Sequence, residues 1–220
     1  MKKNVLAVIA LAALSFTACK KNETTTTTEG VEVNAPSTEA VTYTVDAQNS
    51  LINWEGGKVT GDKHLGTIAL KEGQVSVADG KVTNGKFVID MNSINVTDIT
   101  DAEKKAMLEG HLKGATAENS DHFFNVSKFP TATFEIASIT EENGIQMVEG
   151  NLTIKETTKG IKFPAKVLVN DTDVTFETEE FTFDRTEFGV NFNSGKFVQD
   201  LGDNAINDEI KIKLTVKALK

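Results

Sequence analysis

The side chains of this 220-residue chain that could do chemistry are few: three histidines, one arginine, one cysteine and several adjacent carboxylates. His64, His111 and His122 carry imidazoles that could hold a transition metal, with Glu109 or Asp121 supplying an oxygen ligand. Their spacing makes no His-x-x-x-His pair and no cysteine-containing motif, so solvated or capping roles are expected and neither a metal nor another cofactor is assigned. No Gly-x-Ser-x-Gly elbow is present, and the sole cysteine, Cys19, lies near the start of the chain. Glu141-Glu142 and Glu179-Glu180 are neighbours in sequence. Neighbours in a strand point to opposite faces, so adjacency does not make them an acid–base pair. No catalytic residue is assigned, and the chain reads as a binding protein rather than an enzyme. Arg185 sits beside Asp184 and close to Glu187. Its planar fork either pins a corner of the fold through a bidentate pair or meets the head group of a ligand.

Cys19 has a context of its own. Lys2 and Lys3 precede an uninterrupted apolar run from Val5 to Leu14, too short to span a bilayer and of the length of a secretion signal. Leu14-Ser15-Phe16-Thr17-Ala18-Cys19 resembles the bacterial lipoprotein processing box, in which small residues precede a cysteine whose thiol is acylated. Residues 1–18 are therefore expected to be a signal peptide and Cys19 the point of lipid attachment. That places the domain outside the cytoplasm, in the periplasm or at the outer membrane of a bacterium, held to a membrane by its acyl anchor. A single cysteine forms no internal bridge, so the fold rests on its core alone.

The formal net charge is −9, and loss of the two leader lysines makes it more negative still. Such a surface argues against nucleic acid, whose binding depends on neutralising phosphates, and against electrostatic adsorption to anionic lipid. Residues 19–40 read as the lipidated cysteine followed by a disordered tether. Lys20 to Ala40 has no aromatic residue, five consecutive threonines from Thr24 to Thr28, and Pro36. As a flexible coil it would let the domain move roughly 25 Å from its anchor.

From residue 41 to 220 the pattern is that of one β domain. Phe87, Ile89 and Met91 alternate with Lys86, Val88 and Asp90; Ala132, Phe134 and Ile136 alternate with Thr133 and Glu135. Val148, Gly150, Leu152 and Ile154 form a third row, and Ile161, Phe163, Ala165, Val167 and Val169 a fourth. The last strand sets Ile210, Ile212, Leu214, Val216 and Ala218 against Lys211, Lys213, Thr215 and Lys217. A period of two places each apolar set on one face of an antiparallel sheet. Asp79-Gly80 and Asn143-Gly144 are hairpin turns. Val174 and Phe176 share one parity while Phe181 and Phe183 share the other, which predicts a bend near Thr178 to Glu180. Thr100-Asp101-Ala102-Glu103 has capping-box spacing, and Ala102, Ala106, Met107 and Leu108 supply an apolar side for one inserted short helix. Eight to ten strands with one helix make an all-β fold, and closure into an antiparallel barrel removes exposed edges.

Five ordered motifs carry a resemblance to a known family. Tyr43-Thr44-Val45-Asp46 with Asn49-Ser50 opens the domain; His111-Leu112-Lys113-Gly114 leads to Asp121-His122-Phe123-Phe124-Asn125. Lys128-Phe129-Pro130-Thr131-Ala132-Thr133-Phe134, Gly150-Asn151-Leu152-Thr153-Ile154-Lys155 and Arg185-Thr186-Glu187-Phe188-Gly189 follow. Together they resemble the YceI-like polyisoprenoid-binding family, small extracytoplasmic proteins with a lipocalin-like barrel. Glu156 and Gly160 stand where the family usually has Gly and Pro, His122 interrupts its Asp-Phe-Phe run, and Trp54 to Gly66 looks like a variant branch.

What the resemblance implies is a long apolar partner, an isoprenoid or isoprenoid quinone, held inside the barrel. The wall of that cavity is expected from Trp54, Phe87, Ile89, Phe134, Ile136, Leu152, Ile154, Phe163, Val167, Phe176, Phe181, Phe183, Ile212 and Leu214. The residues alone favour a filled core, because alternation reports burial and not emptiness. Three readings follow: a lipid carrier, store or sensor; an envelope stress or interaction module with a filled core; and, least favoured, a small metal-dependent enzyme. A homodimer is left open.

Overall fold

Fourteen strands and one α-helix, all in a single antiparallel sheet system, make up the computed structural model, which describes residues 25–35 and 37–220. In chain order they are β1 (Thr27–Thr28), β2 (Val41–Val45), β3 (Leu51–Gly57), β4 (Lys63–Ile68), β5 (Leu70–Ala78), β6 (Lys81–Asp90) and β7 (Asn95–Val96). The helix α1 (Ala102–Lys113) then precedes β8 (Thr131–Glu142), β9 (Ile145–Ile154), β10 (Thr157–Pro164), β11 (Lys166–Val169), β12 (Asp173–Glu177), β13 (Phe181–Asp184) and β14 (Glu209–Leu219). Cys19 and the leader read at residues 1–18 lie outside the described residues.

Four pairs of strands are the two halves of one bent segment. β2 and β3 both run along β14, separated by a turn that Asp46 caps through the N–H groups of Gln48 and Asn49. β4 and β5 flank Ala69 and pair with β3 and β2 respectively. β12 and β13 both pair with β14, and the bend between them falls at residues 178–180 as the change of parity predicts. β10 pairs with β9, whereas β11, after Pro164 and Ala165, pairs with β12. Proline offers no N–H to a ladder, so the segment changes partner there. Ala165 donates to Gln146 O (2.9 Å) and Val167 to Gln146 Oε1 (2.8 Å), which holds the switch in place. Counted as bent segments, eight strands run β2/β3, β4/β5, β6, β8, β9, β10/β11, β12/β13, β14 and return to β2/β3. An eight-stranded ring of this kind has an interior just wide enough for side chains or one ligand.

The partner switch leaves a seam, since no barrel strand pairs with the outer edge of β10 and β13 lies beyond it. The segment before the barrel fills that seam, which corrects the expectation of a disordered tether over residues 20–40 for its described part. Thr27 and Thr28 of β1 pair with Ile161 and Gly160, and Thr25 donates to Thr182 O (2.8 Å). Val31 exchanges two hydrogen bonds with the Asn151 amide, each 2.8 Å. The low apolar content of the segment misled because its docking rests on backbone groups satisfying an open edge, not on buried side chains. Gly160 makes the approach feasible: a Cβ there would lie 2.5 Å from Thr28 Oγ1.

The helix departs from expectation in two details. Its N-cap is Asp101, which accepts from the N–H groups of Glu103 and Lys104, so the cap stands one residue later than a Thr100 capping box requires. Ala102, Ala106 and Met107 are exposed, Met107 by 73%. The helix instead faces the barrel with Leu108, His111 and Leu112 and ends at Gly114 in the left-handed region (φ 70°).

Candidate functional site: an apolar cavity inside the barrel

The inner rows of the strands do not meet across the barrel. They enclose a cavity of about 750 Å³, within the range of roughly 300–1,000 Å³ that holds small-molecule ligands and far beyond a packing defect. One part of its wall comes from β3, β6, β8 and β9, with Trp54, Phe87, Ile89, Phe134, Ile136, Leu152 and Ile154 facing the space. The opposite part comes from β10, β12, β13 and β14, with Phe163, Phe176, Phe181, Phe183, Ile212 and Leu214. Val167 is not on this wall. It is buried in β11, beyond the partner switch at Ala165, and packs into the closed end of the barrel with the core.

The aromatic residues are organised as contacts, not as isolated rings. Phe163 and Phe181 stack with centroids 4.6 Å apart and planes at 2°, while Phe134 packs on Phe163 at 5.6 Å and on Phe87 at 6.4 Å. Such an arc gives the lumen stiff, polarisable walls with low side-chain entropy to lose. Trp54 adds a further ring. Its indole lies over Gly66 of the neighbouring strand, and its Nε1 is buried with no hydrogen-bond partner.

Wall residues outside the regular strands are not assigned to the cavity by the sequence, although Met91 and Leu108 read there as apolar positions. Met91 and Ile94 follow β6; Leu108, His111 and Leu112 come from α1; Phe123, Phe124, Phe192 and Ile206 come from loops. Periodicity carries no signal in such segments, although the Phe123-Phe124 pair and the His111-Leu112 pair lie inside the family-like motifs. The polar wall residues concentrate in one region, where Lys58, Asp62, Lys63 and His64 of the β3–β4 hairpin face Asn193 and Asn204.

The histidines, read apart in sequence, are partly brought together. His111 Nε2 and His122 Nδ1 lie 2.8 Å apart, and the His122 ring stacks on Phe192 with centroids 4.0 Å apart. Burial, and then the neighbouring His122, pushes the His111 pKa below its ordinary value. His64 is separate: its Nδ1 lies 2.9 Å from Asp98 Oδ2. Burial works to raise the Asp98 pKa, but the Leu65 N–H and the His64 ring outweigh it and hold the carboxyl below its usual range. Among the described residues no three His, Cys, Asp or Glu side chains converge as metal ligands.

Arg185 is a corner residue. It is 3% exposed and donates to Asn207 O (3.0 Å), Val190 O (2.6 Å) and Ile206 O (3.3 Å), with Asp208 Oδ1 at 3.6 Å. The expected pairing with Asp184 and Glu187 is replaced by these carbonyls, because Asp184 is engaged by Lys196 and by the N–H and hydroxyl of Thr186. One edge of the residue still reaches the cavity wall.

Residues 43–218 match the family model described as the YceI-like domain. The chain belongs to the YceI-like family. Protein YceI of Salmonella newport (strain SL254) is 28% identical over 170 residues, covering 76% of this chain and 74% of the relative. Protein YceI of Salmonella arizonae is 30% identical over 172 residues, with the same coverage. Among solved structures, BcnA of Burkholderia cenocepacia aligns with a TM-score of 0.58 at 25% identity, over 79% of this chain and 99% of that one. A polyisoprenoid binding domain from Saccharophagus degradans, implicated in plant cell wall breakdown, aligns with a TM-score of 0.55 at 15% identity. It covers 80% of this chain and 97% of that domain, and at this identity the likeness speaks for the shared fold. The YceI-like barrel and its one inserted helix thus agree with the fold read from the residues.

Proposed function

We propose that this YceI-like chain binds a polyisoprenoid or isoprenoid-quinone lipid in its barrel cavity, as a carrier, store or sensor outside the cytoplasm. Attachment to the membrane runs through acyl chains on Cys19, and no turnover takes place. The observation that carries the reading is the 750 Å³ lumen with its arc of phenylalanines. Each 100 Å² of prenyl surface moved there from water contributes roughly 2.5 kcal/mol, so an apolar chain is held without any catalytic group. The polyisoprenoid binding named for the Saccharophagus degradans domain supports the same ligand class. The acyl anchor keeps the cavity beside the bilayer that would supply its guest.

The test is mass spectrometry of residues 20–220, purified without detergent, a fragment that retains every contact described above. An isoprenoid recovered at about one per chain is the expected result. Repeated recovery of empty protein that also rejects added quinones and prenyl alcohols would overturn the proposal and favour an interaction module. Acyl analysis of Cys19 in the full-length protein tests the anchor independently.

A further inference from the structure

The segment from Thr25 to Val31 precedes residues 43–218, the part of the chain that matches the family model, yet it is built into the barrel wall. It stands between β10 and β13, two strands that do not pair with each other. On one side Thr27 and Thr28 pair with Ile161 and Gly160; on the other Thr25 donates to Thr182 O (2.8 Å). A strand inserted in this way holds its neighbours roughly 9–10 Å apart, two sheet spacings. Beyond Ala165 the same two bent segments pair directly, β11 with β12, so the gap is confined to the stretch before the partner switch.

The gap opens on the cavity. Ile161 and Phe163 on its β10 side and Phe181 and Phe183 on its β13 side all face the lumen. Phe163 and Phe181 reach across it on the inner side and stack, with centroids 4.6 Å apart. What holds the segment in place is polar and shallow. Its residues are Thr-Thr-Thr-Thr-Glu-Gly-Val, and none of these side chains belongs to the hydrophobic core. Glu29, 92% exposed, pairs with Lys159 at 2.9 Å, and an ion pair so exposed adds little. The two bonds between Val31 and the Asn151 amide complete the set. Backbone groups freed by undocking meet water, so the segment can leave while the barrel stays folded. Thr25 follows Cys19 by six residues, at most about 21 Å of extended chain. A bilayer holding acyl chains on Cys19 therefore lies close to the gap.

We infer that residues 25–31 act as a removable stave: docked, they close a side passage into the lumen, and released, they let an apolar guest pass between β10 and β13. The inference deepens the lipid-binding reading and rests on it. Passage requires the stave to leave and the Phe163–Phe181 stack to part, while every other strand keeps its partner. A chain-like guest then enters broadside instead of threading its length through one rim. The stave is docked before entry and after it, so it sets the rate of exchange and leaves the affinity alone.

Two single substitutions free the stave from outside the cavity. At Gly160 a Cβ would lie 2.5 Å from Thr28 Oγ1 and 2.8 Å from Glu29 O, so Gly160→Ala expels it; Asn151→Ala removes both bonds to Val31. Thr27→Cys combined with Ile161→Cys, cross-strand partners, ties it down when oxidised, and residues 20–220 hold no other thiol. Each protein, as residues 20–220, is loaded with geranylgeraniol and mixed with phosphatidylcholine vesicles as acceptor. Fluorescence of the lone Trp54 on the cavity wall follows release, and hydrogen exchange of the Thr25 and Val31 amides reports the stave itself. Gly160→Ala and Asn151→Ala are expected to raise loading and release rates roughly tenfold, the scale of two lost hydrogen bonds, at unchanged Kd. The oxidised pair releases roughly tenfold more slowly than the same protein reduced, a comparison that stands even where a single variant misfolds. Unmoved rates in a variant whose Thr25 and Val31 amides have lost protection, or equal rates for the oxidised and reduced pair, overturn the gate and leave the segment a staple. Failure of the unmodified protein to bind geranylgeraniol removes the lipid-binding reading and this inference with it.

Discussion

The indole of Trp54 rests on Gly66, its cross-strand partner, so closely that a Cβ on Gly66 would lie 2.3 Å from Trp54 Cζ2 and 2.3 Å from Asn95 O. The missing side chain lets the ring lie flat on the inner wall, and β7 pairs with β4 at the same point. Gly66→Ala must move either the ring or a backbone carbonyl, at a cost of about 1–3 kcal/mol. A shift in tryptophan emission together with a lower unfolding midpoint is the expected outcome; an unchanged spectrum would show that the ring is not held there.

Leu214 faces the lumen from the middle of β14 and is only partly buried. Leu214→Trp extends into that space, and the larger ring costs about 1–3 kcal/mol in stability, well short of unfolding the barrel. Bound prenyl lipid falls by more than half, read as lipid per chain in native mass spectra.

Phe163 stacks on Phe181 and packs against Phe134, and it is 4% exposed. Phe163→Ala therefore costs about 3–5 kcal/mol in denaturant unfolding, since it enlarges a cavity that the surrounding strands, fixed by closure, do not collapse to fill.

Arg185 offers its guanidinium to three carbonyls and to Asp208 while 3% exposed. Arg185→Met leaves these acceptors buried and unpaired, at a cost of roughly 3–5 kcal/mol. Arg185→Lys recovers less than half of this, because a point charge does not reproduce the planar fork. Equilibrium unfolding in urea measures both.

His111 is held below the ordinary imidazole value of 6.5 by burial and by His122. The unfolded chain thus binds more protons than the folded one between the depressed folded value and 6.5. Stability is lost as pH falls through that window and returns as pH rises above it. Thermal unfolding midpoints are expected to climb from acid toward neutral pH in this range, and His111→Gln flattens that part of the profile.

Much of the architecture was legible in the residues. Alternation in Phe87-Val88-Ile89 and in the run from Ile210 to Ala218 is a local property of a pleated chain, and it assigns each side chain to a face whatever the partners are. Asp79-Gly80 and Asn143-Gly144 adopt the positive φ that their turns demand, with Asp79 at 52° and Asn143 at 52°. Thirteen of the fourteen residues read as a cavity wall face the cavity, because the face of a strand follows from parity alone.

What parity does not carry is distance across the interior. Whether Phe134 and Phe181 fill the barrel or stand back from its centre depends on how many strands close the ring and where they bend, which Ala165 and residues 178–180 settle between elements far apart in sequence. The 2.8 Å meeting of His111 with His122 needs a helix and a loop placed on the same rim. Thr25 to Val31 lie in a seam that exists only once β10 and β11 have taken different partners. Val167 stands on the right face yet beyond the cavity for the same reason. Sequence by itself determined which side chains turn inward; only closure of the sheet decided that the inside is hollow.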